Sequence, residues 1–233
     1  MNFNTKTLIV AAHPDDEVLG CGGTIAKIVA NGGAVQTIFL ADGESSRFPI
    51  TDIHSRRVKE KIAARRDAAN AAAKIVGSEP PKFYDFPDNR LDTIALLDIS
   101  KIIEEEITAF SPQRVITHFA GDLNRDHQIV LEAVMIATRP VLKSCVNEVI
   151  SFEIPSSTEW GPVGVGLQFS PNLFVSVDEF VNLKFAALDA YEVEMRNFPH
   201  PRSKEAIEAL MKWRGATVGT KSAESFMVER ILV

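Results

Sequence analysis

The stretch that decides the fold runs from Thr7 to Ala12, TLIVAA, and passes directly into His13–Glu17, HPDDE. A short, nearly all-apolar run predicts a strand that is buried on both faces of a sheet. Pro14 and the acidic residues after it predict the first turn of a helix, where proline loses no hydrogen bond and carboxylates favour the helix dipole. A buried strand that leads straight into a helix is the opening unit of an α/β fold with a parallel sheet.

The same alternation of strands and helices continues through the first two thirds of the chain. Further strands are predicted at 35–41, 82–86 and 114–119, and helices at 15–31, 54–76, 92–110 and 126–138. We therefore expect a Rossmann-like, mainly parallel sheet with helices on both faces and right-handed crossovers.

The last third of the chain differs, because turn-rich stretches separate its elements. Strands are predicted at 148–154 and 173–177, and helices at 178–198 and 203–214. We expect residues 148–233 to form a C-terminal cap of strands and helices on the Rossmann-like part, residues 1–147. Since no linker rich in glycine, serine or charge separates the two parts, the sequence predicts a single domain.

The composition is that of a globular protein and excludes several functional classes. The 233 residues are 45% hydrophobic and 24% charged, and the net charge of −6 disfavours a nucleic acid as the main partner. No apolar run reaches the roughly 18 residues of a membrane span, and the first residues lack the pattern of a signal peptide. Cys21 and Cys145 lie far apart and exclude a disulfide framework, so a cytoplasmic location is expected.

Polar side chains cluster where the first predicted strand ends, at the edge where α/β sheets bind ligands. His13 and Asp16 are three residues apart and can converge on one ion, while Asp15 points elsewhere and is free for proton transfer. The alternative is a helix N-terminus at which acidic residues simply cap free N–H groups. Capping explains one or two carboxylates, but it does not explain a histidine followed by three acids.

A second polar cluster, residues 117–127, follows the fourth predicted strand. Because parallel strands end at the same edge of a sheet, His127 is able to complete a set with His13 and Asp16. Two nitrogens and one carboxylate oxygen with an open fourth position are typical of a catalytic zinc site. The alternative is a polar loop in which Asp126 caps the next helix.

Three familiar motifs do not account for these clusters. Gly20–Gly23 fails the dinucleotide-binding pattern GxGxxG, because Ile25 stands at the third glycine position. The chain carries neither the GxSxG elbow of a serine hydrolase nor the HExxH motif of many zinc proteases.

Five stretches together resemble one known family. They are AHPDDEVLGCGG at 12–23, ADGESS at 41–46, ARRDAANAAAKIVG at 64–77, DLNRDH at 122–127 and AESF at 223–226. The sequence resembles the LmbE/PIG-L family of zinc-dependent N-acetylglucosaminyl deacetylases, over most of its length and more loosely from about residue 148 onward.

The resemblance implies a metal site and a reaction. It implies zinc ligands at His13, Asp16 and His127, and Asp15 as the general base that takes a proton from a zinc-activated water. The water would attack an acetamide and release acetate from an amino sugar or its conjugate. The same N2O ligand set also accepts Fe²⁺, Co²⁺ or Ni²⁺. The partner implied is a small molecule, and assembly into a homo-oligomer stays open.

One position departs from the family pattern. Many members carry a histidine three residues before the ligand histidine, where this chain has Asn124. An amide is able to donate a hydrogen bond to a developing oxyanion but carries no proton to transfer. Asp126 remains and is expected to orient a histidine, as is Asp122. His118 or His200 is a candidate for the missing imidazole.

Substrate contacts are predicted less directly. The candidates are Asp42, Arg65, His118, Trp160, His200 and Arg202. Asp42 follows the second predicted strand and either holds sugar hydroxyls or forms a turn. Arg65 or its neighbour Arg66 matches a family arginine, in a basic stretch that is either a solvated helix face or a site for an anionic group. Glu224, in AESF, matches a family position without an assigned role.

Three functional hypotheses follow. The first is a zinc N-deacetylase acting on an N-acetylglucosamine-type sugar. The second is another amide hydrolase on the same scaffold, for example one acting on a thiol glycoside. The third is a glycan-binding protein that has lost catalysis, which Asp15 disfavours because a binding site needs no positioned base.

Overall fold

The computed structural model describes residues 1–141, 146–162 and 166–233. Cys145, one of the two cysteines of the sequence, lies outside the described residues. Cys21 is buried and free, as expected of a small core residue.

Seven strands form one sheet within the described residues. They are β1 (Lys6–Ala11), β2 (Ala34–Ala41), β3 (Lys82–Phe86), β4 (Arg114–His118), β5 (Glu148–Phe152), β6 (Leu173–Ser176) and β7 (Ala223–Ile231). Their order is β3-β2-β1-β4-β5-β7-β6. The first five strands are parallel to one another, whereas β7 runs antiparallel to both β5 and β6. The predicted Rossmann-like, mainly parallel sheet is confirmed.

In the described ranges, six helices of at least ten residues cover the two faces of the sheet. They are α1 (Asp16–Ala30), α2 (Arg56–Val76), α3 (Leu96–Phe110), α4 (Arg125–Ala137), α5 (Val181–Ala190) and α6 (Lys204–Val218). Alternate residues of the central strands enter separate cores: Ile116 of β4 belongs to the core that includes α1, α2, α5 and α6, while Val115 belongs to the core that includes α3 and α4. Burial on both faces explains why a central strand such as β1 is apolar along almost its whole length.

The structure departs from the sequence-based elements in the last third of the chain. The predicted helix 178–198 ends at Ala190 and is followed by a short 3-10 turn, Glu192–Glu194. β7 was not predicted, and it pairs between β5 and β6. The segment predicted as a cap therefore adds three strands to the sheet as well as α5 and α6, while the boundary at residue 147 stays a prediction.

The order of the strands positions the polar clusters. β1 and β4 are direct neighbours, with Leu8 opposite Val115 and Ile9 opposite Ile116. Their carboxyl ends therefore lie side by side, and the chain turns from each of them into a helix that carries polar residues. None of the helices in the described ranges is long and apolar enough to cross a membrane.

Candidate active site

The three predicted metal ligands converge at the carboxyl ends of β1 and β4. One ligating atom from each of His13, Asp16 and His127 lies within 4.8 Å of the others, and all three residues are buried. Asp16 Oδ2 is 3.3 Å from His13 Nδ1 and 3.4 Å from His127 Nε2. Two imidazole nitrogens and a carboxylate oxygen thus face one point. These three atoms are the donor set of a tetrahedral site for a divalent metal ion with one open coordination position.

Carboxylates contact the far nitrogen of both histidines. His13 Nε2 is 3.2 Å from Asp126 Oδ2 and 3.0 Å from Asp88 Oδ1, and His127 Nδ1 is 3.2 Å from Asp122 Oδ1. Such contacts fix the ring orientation and tautomer of metal-ligating histidines. Asp122 and Asp126 were predicted from the sequence in this role, whereas Asp88, which follows β3 at the same edge of the sheet, was not.

The electrostatics of this ligand cluster also suit a cation. Burial alone would lower the histidine pKa values, but Asp126 and Asp16 raise the pKa of His13, and Asp16 and Asp122 raise the pKa of His127 to about 9. Burial opposes ionisation of Asp16, yet the neighbouring histidines hold its pKa well below the ordinary value. A divalent ion that replaces the histidine protons would satisfy the same carboxylates. The residues present therefore fit a metal ion.

Asp15 has a strained backbone and an asymmetric carboxylate. Its φ is 136°, which is unfavourable for any residue other than glycine. Its Oδ2 accepts hydrogen bonds from Arg65 Nη2 and Arg202 Nη1, both at 3.1 Å, whereas Oδ1 is buried with no hydrogen-bond partner among the described residues. Burial raises the pKa of Asp15 to about 6, although Arg65 and Arg202 oppose this change. One carboxylate oxygen is thus held and the other is free to take a proton.

Three arginines and two further carboxylates surround this side of Asp15, and together with Asp15 they form what we call the arginine cluster. Its members are Asp15, Glu44, Arg47, Arg65, Glu194 and Arg202. Arg65 is buried and contacts Glu44 at 3.2 Å as well as Asp15 and Glu194. The guanidinium that the sequence analysis offered as a site candidate is therefore already bound within the chain.

Asn124 begins α4 as its N-cap. Its Oδ1 accepts a hydrogen bond from the backbone N–H of Asp126 at 2.8 Å. Asp126 was the cap in the alternative interpretation, but its own carboxylate accepts hydrogen bonds from Asn89 N at 2.8 Å and Leu91 N at 3.0 Å. Asp126 thus bridges the segment after β3 to His13, and Asn124 performs the capping.

His118 lies behind the ligand cluster, with none of its surface exposed. Its Nε2 accepts a hydrogen bond from the backbone N–H of Ala12 at 2.8 Å, which places the proton on Nδ1. Its ring stacks on that of His127, with the centroids 3.9 Å apart. The structure therefore brings His118 to the metal ligands rather than to a solvent-facing surface where a substrate would bind.

The remaining predicted contacts lie in loops around the same edge. Asp42 Oδ1 accepts hydrogen bonds from Glu44 N and Ser45 N, both at 2.8 Å, as in the turn alternative. Trp160 is 50% exposed, and its ring meets the edge of His200 at a centroid distance of 5.7 Å. His200 Nδ1 in turn accepts a hydrogen bond from Arg202 N.

Glu224, near the start of β7, binds the backbone of α1. The helix is interrupted at Cys21, where φ is −147°, and Glu224 accepts hydrogen bonds from Gly23 N at 2.9 Å and Thr24 N at 2.6 Å just beyond the break. Lys184 Nζ lies 2.7 Å from Glu224 and also donates to Leu19 O, just before the break. The sequence analysis missed Lys184, which no motif marks.

Comparison with known proteins identifies relatives of this chain. Residues 8–138 match the family described as PIG-L, GlcNAc-PI de-N-acetylase. The chain is 29% identical to the uncharacterized deacetylase YaiS of Escherichia coli K12 over 82% of this chain and 92% of that protein. It is 26% identical to the probable N-acetyl-alpha-D-glucosaminyl L-malate deacetylase 2 of Bacillus anthracis, over 82% of each. The family resemblance inferred from the motifs is confirmed.

A solved structure of similar fold has a different activity in its name. The chain matches the 4-carboxy-2-hydroxymuconate hydratase GalB of Pseudomonas putida KT2440 with a TM-score of 0.75 and 25% identity. The match covers 98% of this chain and 97% of the hydratase. The α/β fold is thus shared by a protein named as a hydratase and by the family described as a deacetylase.

Proposed function

Because the chain belongs to the PIG-L, GlcNAc-PI de-N-acetylase family, we propose that it is a metal-dependent N-deacetylase. Its substrate would be an N-acetylglucosamine-type sugar or a conjugate of one. The observation that carries the proposal is the carboxylate of Asp15, which has one oxygen fixed by Arg65 and Arg202 and a free buried oxygen. A protein that only binds glycans has no need of a base positioned in this way.

The metal would be held by His13 Nδ1, Asp16 Oδ2 and His127 Nε2. Zn²⁺ is the proposed ion, and Fe²⁺, Co²⁺ and Ni²⁺ suit the same N2O donor set. A bound divalent ion supplies a Lewis acid for the amide carbonyl and lowers the pKa of water to about 7. Asp88, Asp122 and Asp126 keep the far nitrogens of the two histidines occupied, so that the ligating nitrogens keep their direction.

Asp15 would act twice in the reaction. Its carboxylate takes a proton from the water that adds to the acetamide carbonyl carbon. The carbon–nitrogen bond then breaks, Asp15 returns the proton to the departing nitrogen, and the products are acetate and an amine. Arg65 and Arg202 hold the side chain in place through Oδ2, which leaves Oδ1 for the proton.

Other roles are proposed for residues around this base. The half-buried Asn124 would offer its amide N–H to the oxyanion, since its Oδ1 is used by the helix cap. The exposed ring of Trp160 would stack on a sugar. His200 and Asp42 are retained as polar groups near the substrate, and a cytoplasmic location and a homo-oligomer stay predictions.

Acetate release tests the proposal. The purified protein is incubated with N-acetylglucosamine and with its glycoside, malate, nucleotide-linked and lipid-linked forms, with and without a chelator. We expect release that the chelator abolishes and that added Zn²⁺ restores. Asp15→Asn should lower kcat by at least about 100-fold, because a positioned base contributes that much.

The controls separate a failed enzyme from a failed hypothesis. Asp52→Asn, an exposed carboxylate on a surface turn, should leave the activity unchanged. Equal rates for the wild type and Asp15→Asn would contradict the role of Asp15. Metal binding without acetate release from any of the compounds would contradict N-acetylglucosamine deacetylation and favour another amide, such as that of a thiol glycoside.

Hydration of a carbon–carbon double bond is the second candidate, favoured by the similarity to the hydratase over nearly the whole of both chains. A metal ion beside a buried carboxylate base also suits the addition of water to an activated double bond. The two reactions differ in their products, because hydration releases no fragment. Loss of absorbance of an unsaturated hydroxy acid without acetate release would support the hydratase.

A further inference from the structure

The arginine cluster is neutral without any contribution from outside the chain. Arg47, Arg65 and Arg202 face the carboxylates of Asp15, Glu44 and Glu194. An arginine group that served to bind an anionic substrate would instead have positive charge in excess. The neutral charge of the cluster therefore indicates that it is not built to bind an anionic group of a substrate.

Glu194 is the common partner of all three arginines. Arg47 donates to its two oxygens at 2.9 and 2.7 Å in a bidentate arrangement, and Arg202 Nη1 lies 3.4 Å from it. Arg65 contacts the same carboxylate. Only 4% of the Glu194 side chain is exposed. Although burial opposes ionisation, Arg47 and Arg65 hold the pKa of Glu194 below its ordinary value, so it is charged at neutral pH.

Two of these arginines reach the surface beside the proposed base. The side chain of Arg202 is 23% exposed while its guanidinium touches Asp15, and the side chain of Arg47 is 39% exposed. A substrate whose acetamide comes within reach of Asp15 must place neighbouring groups close to Arg202. The substrate groups next to the acetamide would then lie beside guanidinium groups, and the carboxylates of Glu194 and Asp15 already neutralise the positive charge of these groups.

We propose that Glu194 sets the preference of the protein for substrates by their charge. Its carboxylate occupies the position between Arg47 and Arg202 that a phosphate or carboxylate group of a substrate would take. The protein therefore prefers amino-sugar conjugates that are uncharged near the sugar and discriminates against anionic ones. The preference is a form of selection by repulsion, because an added anion must displace a buried, bidentate carboxylate or lie beside it. This inference rests on the proposed deacetylase function.

Substrate preference in matched variants provides the first test. We would measure kcat/KM for methyl N-acetylglucosaminide, which is neutral, and for N-acetylglucosamine 1-phosphate. The wild type should prefer the neutral compound. Glu194→Gln removes one negative charge and leaves the shape, so the preference should shift toward the phosphate by about tenfold or more. Glu192→Gln, an exposed residue in the same turn, should keep the wild-type preference.

Binding of inorganic phosphate provides a test that does not depend on catalysis. By calorimetry on the metal-loaded protein, Glu194→Gln should bind phosphate at least about tenfold more tightly than Glu192→Gln, since any binding to the metal is common to both. Arg47→Gln changes the charge in the opposite direction and should weaken phosphate binding, which keeps the test open if Glu194→Gln folds poorly.

The outcomes separate the two proposals. A wild type that prefers the phosphate ester, or a phosphate affinity that is equal in Glu194→Gln and Glu192→Gln, would overturn the role of Glu194. Absence of acetate release from every compound would contradict the deacetylase function, while the phosphate titration would still decide whether Glu194 blocks an anion site.

Discussion

Two groups of charged side chains, the ligand cluster and the arginine cluster that includes Asp15, differ in their charge balance. In the ligand cluster, four carboxylates surround two histidines: Asp16, Asp88, Asp122 and Asp126 around His13 and His127. In the arginine cluster, three carboxylates face three guanidinium groups. The first group keeps a negative excess even with both histidines charged, and the second has none. The difference teaches that buried charges left unbalanced by the chain are suited to holding an ion from outside, whereas balanced charges satisfy one another and disfavour a further charge.

The largest effect on stability is expected from breaking the balanced cluster. Glu194→Gln should lower the free energy of unfolding by roughly 3 kcal/mol at pH 7, because the buried Arg65 and the partly exposed Arg47 and Arg202 lose a common carboxylate. The pKa of Glu194 in the folded protein lies below its ordinary 4.5. Its contribution is therefore complete above pH 4.5 and is lost as the pH falls through the folded value.

Urea unfolding at several pH values checks this dependence. The difference between the wild type and Glu194→Gln should be largest at pH 6 to 7 and should shrink below about pH 4.5. Glu192→Gln serves as the control and should follow the wild type at each pH. A difference that stays constant down to pH 3 would show that the charge of Glu194 does not hold the cluster.

A smaller effect is expected from filling the unbalanced cluster. Zn²⁺ at about 100 times its dissociation constant should raise the free energy of unfolding by about 2.7 kcal/mol. Asp16→Asn removes the oxygen shared by both ligating histidines and should abolish this gain, whereas Glu194→Gln should retain it because the two clusters are separate. Thermal unfolding with added Zn²⁺ or a chelator measures both. Equal stabilisation of wild type and Asp16→Asn would place the metal elsewhere.

The two clusters also differ in how far the sequence predicts them. The proposed ligands lie in two short stretches at the ends of neighbouring strands, so strand alternation and the geometry of a parallel sheet allow His13, Asp16 and His127 to meet, and the family resemblance implies that they are the ligands. The arginine cluster joins residues that lie far apart in the chain. Glu194 falls inside a segment that was predicted as continuous helix, and only the end of α5 at Ala190 turns it toward Arg47.

Prediction of the fold from the sequence was limited in the same way, because elements that depend on distant contacts were missed. Strands and helices up to α4 were predicted within a few residues, because most of them have a local apolar pattern and a clear end. β7 was missed, since its pairing between β5 and β6 depends on contacts with distant strands rather than on a local pattern. Glu224 at its start was singled out by a motif, but its role on the interrupted α1 emerges only from the packing.

The smallest effect is expected at Asn124, where the sequence indicated chemistry and the structure adds a helix cap. Asn124→Ala should lower the free energy of unfolding by about 1 kcal/mol, since the cap of α4 is lost. Asn124→Ser keeps a capping oxygen and should restore most of that stability, but it lacks the amide N–H proposed to stabilise the oxyanion. Comparing the two variants by urea unfolding and by kcat separates the roles. If Asn124→Ser recovers both stability and kcat, the residue only begins the helix that carries His127. If it recovers stability while kcat stays at least about tenfold low, the amide acts on the reacting group.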